Sequence, residues 1–164
     1  MSDEVDGCAE RTHYHFSISL RVRHPNVDPM NITEHLGIQP THFGKAGEGR
    51  RTPRGSILSG VNRESYWTAR VSSGRWPLEI SSAICDVLNG LLPHRSYLHT
   101  IRNGGGNIEL FIGWFFENQS GDVLNYKCLA LAGDLKIDLS FDIYPPDQPQ
   151  SEHATFTEPP VQNS

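Results

Sequence analysis

Between residues 13 and 24 apolar and polar side chains alternate: Tyr14, Phe16, Ile18, Leu20 and Val22 are separated by His15, Ser17, Ser19, Arg21 and Arg23. A period of two marks a strand with one buried face. His24-Pro25 ends it. Asp28 then precedes Pro29 as a helix cap with proline at the first helical position, and a short helix runs through Ile32 and Leu36 to Gly37, a left-handed stop. Residues 64–72 form a second strand in which Trp67 and Ala69 face one way. After Trp76-Pro77, the residues Ile80, Ala83, Ile84, Val87, Leu88, Leu91 and Leu92 recur at the spacing of an amphipathic helix, closed by Pro93. Residues 96–102 fit one short helical turn, and the aromatic and β-branched run 107–117 is a central strand. Residues 123–126 lead into a partner strand or a helix. Cys128, Leu129, Leu131, Ala132 and Leu135 then predict a third helix ended by Gly133. Residues 136–144 alternate again, with Ile137, Leu139, Phe141 and Ile143 opposite Asp138, Ser140 and Asp142.

Clean alternation in the first and last strands predicts an α+β domain: about four strands in an antiparallel or mixed sheet, with two to three helices packed on one face. The period is lost over residues 38–62, where Gly44, Gly47, Gly49, Gly55 and Gly60 fall among Pro40 and Pro53. This predicts a long glycine-rich loop between the first helix and second strand, with a brief extended piece at 56–58. Loops of that length are usually functional or disordered. Residues 1–11 and 146–164 hold too few large apolar side chains to offset their ordering entropy. A single domain over 12–145 is expected, with a flexible N-terminal tail and a disordered, proline-rich C-terminal one.

Charge narrows the partners. A formal net charge of −5 over 164 residues argues against a general nucleic-acid binder or a polybasic membrane binder, since either needs a cationic field. No apolar run is long enough to span a bilayer, and MSDEVDGCAER is acidic where a secretory leader is basic and then apolar, so a cytoplasmic location is expected. Cys8, Cys85 and Cys128 form no CxxC pair; two of them are expected in the core as small apolar side chains. The eight histidines show neither HExxH nor a Cys-His cluster, although His13 and His15 share a strand face that His42 can approach. They read as dispersed surface histidines, with no metal or other cofactor implied.

The segment from Phe43 to Gly55, FGKAGEGRRTPRG, has the glycines and lysine of a phosphate loop but not its spacing. Gln39 stands where the first glycine is needed and Ala46 where serine or threonine is, and the segment joins helix to strand rather than strand to helix. What remains is a local basic excess of Lys45, Arg50, Arg51, Arg54, Arg63 and Arg70 against Glu48 and Glu64 in an acidic chain. Arginine forks of this kind receive an acidic protein surface, an anionic small molecule such as a carboxylate, or a nucleic-acid backbone, the last disfavoured by the acidic chain; the bland alternative is a solvated loop. Trp67 directly follows this region, where it can floor a pocket closed by Phe43 and the loop. Asp138 and Asp142 share the polar face of the last strand, suited to acid–base work or to pairing with the arginines. No GxSxG elbow or local cysteine-nucleophile signature occurs.

The aromatic first strand, Asp28-Pro29, Leu36-Gly37-Ile38-x-Pro40-Thr41, Lys45-x-Gly47-Glu48, Trp67 and the closing Phe141-Asp142-Ile143-Tyr144 together resemble an uncharacterised bacterial family, domain-of-unknown-function family forty-two seventy-nine, over residues 13–145. The resemblance implies a bacterial, intracellular setting and supplies no catalytic residues.

These readings lead to a non-enzymatic binding or interaction module, in one version an immunity-type protein masking a toxin surface. Its working face is Thr41, Lys45, Gly47, Glu48, Arg50, Arg51 and Arg54 with Trp67 and Asp142, the loop folding back so that residues 45–48 lie near Trp67 and the end of the last strand. The alternative is a small hydrolase or transferase for an anionic substrate, with Lys45, Glu48 and Asp142 in one cleft. A third reading is structural: Lys45 and Glu48 merely tie the loop to the sheet.

Overall fold

The computed structural model describes residues 14–52, 54–117 and 119–145. The two tails, Cys8, His13 and Pro53 lie outside them. Strand β1 (Tyr14–His24) buries every second side chain, as its alternation requires, and sits at the centre of a five-stranded sheet. The order across that sheet is β2 (His42–Gly44), β5 (Ser65–Arg75), β1, β6 (Asn107–Phe116), β7 (Asp138–Tyr144). Neighbours are antiparallel except β6 and β7, which run parallel. A parallel pair needs a crossover, and α4 (Tyr126–Leu135) provides it. The class is therefore α+β with a mixed sheet, as expected.

Residues 38–62, expected as a loop with a brief extended piece at 56–58, carry three short strands: β2, and the two-stranded ribbon of β3 (Gly49–Arg51) with β4 (Ile57–Val61), at whose start the extended piece falls. The ribbon shows no hydrophobic period because both of its faces meet solvent.

The helices cover one face. Helix α1 (Pro29–Leu36) is capped by the Asp28 carboxylate, which accepts the Met30 N–H, and ends at left-handed Gly37. Helix α2 (Ile80–Leu91) passes through a 3-10 turn at Leu92–His94 into α3 (Arg95–Asn103), so the turn expected at 96–102 continues a long helical segment. Helix α4 begins at Asn125, whose side chain accepts from Lys127 and Cys128, and ends at Lys136 in the left-handed region with φ 56°. It thus runs past Gly133, and residues 123–125 lead into it rather than forming a strand. Phe16, Ile18 and Leu20 from β1, Trp67 from β5, Leu110 and Ile112 from β6, and Ile84, Leu88 and Leu135 from the helices join one core. Cys128 is buried in it and Cys85 is half-buried beside it; burial first, then the neighbouring Cys85, push the Cys128 thiol up to about 12.

The start of α2 is closed from a distance. Glu79 stands at its N-cap without a capping side-chain bond, while Asp122 accepts from Ser81 N at 2.7 Å and Ser81 Oγ at 2.9 Å.

Candidate functional site

The basic segment divides into an anchored root and a free arm. At the root, Thr41 donates through its N–H and its hydroxyl to Thr68 O, at 2.7 and 3.0 Å. Lys45 Nζ lies 2.8 Å from Asp28 Oδ2, on the same carboxylate that caps α1. The Lys45 carbonyl accepts from Asn62 Nδ2, Gly47 N donates to Asn62 O, and Glu48 O accepts from Asn62 N at 2.9 Å. Glu48 anchors through its carbonyl, and among the described residues its carboxylate makes no ion pair. Gly47 is left-handed, with φ 82°, a conformation that disfavours a side chain. Gly44 meets Tyr66 so closely that a Cβ there would lie 2.5 Å from Cε1.

Beyond the root, the β3–β4 arm carries Arg50, Arg51 and Arg54 together with Ile57, Leu58 and Val61, all exposed. None of the three arginines is paired with a carboxylate among the described residues. A short recess at the base is lined by Phe43, Glu48, Arg51, Asn62 and Tyr66.

Two expected site residues are not where the sequence reading put them. Trp67 is fully buried and donates from Nε1 to Thr33 Oγ1 at 3.0 Å, so it is a core residue of β5 rather than the floor of a pocket. Asp142 lies on β7, at the opposite edge of the sheet from β2, and accepts a hydrogen bond from Tyr144 Oη. Four strand spacings, roughly 19 Å of sheet, separate the two edges. Lys45, Glu48 and Asp142 therefore do not converge, and the loop does not reach the end of the last strand. Asp138 pairs with Arg102 at 2.6 Å, an arginine outside the basic segment.

The helix-free face of the sheet holds a second set of residues that the sequence reading did not bring together. His15, Phe115 and Tyr144 occupy one register row across β1, β6 and β7, and their rings stack at 4.6 and 4.3 Å within a few degrees of parallel. The bond to Asp142, then burial, raises the Tyr144 hydroxyl above its ordinary pKa. Nearby, the Arg21 guanidinium lies 3.4 Å above the Phe111 ring, and Arg21 approaches Glu109 at 3.5 Å. His15 and Arg21 fall on the alternating first strand, the signal that places them on this face; Phe111 and the other partners follow only from the register. No group of three His, Cys, Asp or Glu side chains among the described residues is arranged to hold a metal ion, and no helix among them is long and apolar enough to cross a membrane.

Neither the curated proteins nor the solved structures yield a match to this chain. A family model described as a domain of unknown function, DUF4279, matches residues 12–146, which include every strand and helix above, and the chain belongs to that family.

Proposed function

We propose that this domain is a non-enzymatic binding module that grips an acidic surface of a partner protein with the β3–β4 arm. One observation carries the reading: three arginines without acidic partners among the described residues stand beside three uncovered apolar side chains, on a ribbon solvated on both faces. A two-stranded ribbon in water is marginal by itself, and its hydrogen-bonded root at Gly47, Glu48 and Asn62 presents it as a fixed projection. Covering Ile57, Leu58 or Val61 yields roughly 1.5–3 kcal/mol each when complete, and the arginine forks select carboxylates at the rim. In this reading Lys45 and Thr41 position the arm and do not touch the partner. An immunity-type role in a bacterial cytoplasm, with the arm masking a toxin surface, is its most specific form.

The test is site-specific photo-crosslinking from Ile57 and Leu58 in the source cell, with and without R50E/R51E/R54E. The reading expects one dominant acidic partner that the charge reversal eliminates, with thermal stability unchanged. Recovery of the same products from the reversed arm would reject it.

The spacing of Lys45 and Asp142 supports no hydrolase or transferase built on those groups.

A further inference from the structure

The stacked rings of His15, Phe115 and Tyr144 stand upright on the sheet, because their separations of 4.6 and 4.3 Å match the distance between neighbouring strands. Phe115 covers one face of His15, so its other face turns toward β5, where the register partner is Arg75. No ring occupies that position. Arg75 stands there instead, beside an open recess of about 980 Å³ bordered by His15, Ser17, Phe115, Arg70, Ser73 and Arg75, with one carboxylate, Glu117, also on its lining. Arg70 and Arg75 have no ion-pair partners among the described residues, unlike Arg21 and Arg23 on the same face, which lie against Glu109 and Glu64.

A backbone irregularity creates this pairing of arginines. Side chains five apart on a regular strand point to opposite faces. In β5 the register passes from Ile18↔Ser72 directly to Ser19↔Arg70, leaving Val71 as an extra residue. This bulge brings Arg70 onto the face that already carries Ser73 and Arg75. Bulges commonly re-aim a side chain in this way.

We propose that the recess is a binding site for a nucleoside monophosphate. Its base extends the column as a fourth ring on the open face of His15, and its phosphate lies between Arg70 and Arg75. Ser17 and Ser73, register partners between the two ends, face the sugar. Arg70 lies opposite Ser19, four residues along β1 from His15, about 13 Å in a strand. An acid attached directly to a ring reaches only the Arg75 end of that span; a sugar-linked phosphate uses both arginines. The chain's net charge of −5 disfavours a polyanionic strand as the ligand.

The test titrates the full chain with AMP, adenosine, inorganic phosphate and a short single-stranded oligonucleotide, following backbone amide shifts and heats of binding. AMP should shift the amides of Ser17, Ser73 and Gly113 at millimolar concentration or below and bind at least about tenfold more tightly than adenosine or phosphate, since stacking and charge both contribute. R75Q and R70Q should each weaken AMP about tenfold and leave adenosine unchanged. H15A should weaken both, and H15F should restore adenosine. R63Q, two residues before β5 begins, should change nothing. The amide spectrum of each variant reports whether it is folded, and two independent arginine variants guard against one failing to fold. The proposal is overturned if AMP leaves those amides unmoved, if phosphate binds as tightly as AMP, if both arginine variants bind AMP normally, or if the oligonucleotide binds far more tightly with a steep salt dependence.

Discussion

Lys45 Nζ lies 2.8 Å from Asp28 Oδ2, while Asp28 Oδ1 accepts the Met30 N–H at 3.0 Å, so one carboxylate both caps α1 and ties down the root of the arm. The Lys45 hydrogen bond, followed by the Met30 N–H, holds the Asp28 carboxyl below its ordinary value; the bond to Asp28 raises Lys45. A depressed acid contributes stability above its unfolded pKa, near about 4, and loses it as pH falls through the lowered value. A raised lysine contributes below about 10.4 and loses it as pH rises through the raised value. The melting-temperature gap between wild type and K45M should therefore stay level from about pH 5 to pH 9 and close at both extremes. A gap that persists in strong acid contradicts the pairing.

Trp67 is a stability residue. T33V leaves its indole N–H unpaired in the core, and the loss of a buried partner costs about 1–3 kcal/mol. W67A removes a fully buried ring and should cost about 3–5 kcal/mol, a large part of the stability of a domain this size. Urea denaturation measures both. If the folded T33V protein lost arm-dependent crosslinking without losing stability, Trp67 would belong to the binding face after all.

Asp122 closes α2 from the loop before α4, so D122A should lower stability by about 1–2 kcal/mol, whereas E79A at the sequence-local cap should cost little. Equilibrium unfolding of the two variants separates them, and equal losses would contradict the long-range cap.

Elements whose hydrophobic period reflects a single buried face were legible in the sequence. The alternation of Tyr14 to Val22 and the three-and-four spacing of Ile80 to Leu91 match the buried sides of β1 and α2. The family was legible too, from short motifs in order. Of the arm only the extended piece at 56–58, at the start of β4, was legible, because a ribbon solvated on both faces carries no period to read. Long-range partners were also hidden: Asp28 for Lys45, Asp122 for Ser81, and Thr33 for Trp67 are joined by tertiary packing rather than local spacing. The position of Asp142 depends on strand order, which alternation does not specify. The open-face recess needs both the register of β1 against β6 and the bulge at Val71, neither of which leaves a mark on residue type.

Among the five strands of the described sheet, the one that leaves the ribosome first is the one that ends in the middle. Strand β1 has no sheet neighbour until residue 75 completes β5 and residue 116 completes β6, so during synthesis both of its edges wait open. Unpaired edges on an apolar strand invite pairing with other chains. The polar row His15, Ser17, Ser19, Arg21 and Arg23 thus has a role before folding as well as after it: its arginines make the waiting strand a poor template for a second nascent copy.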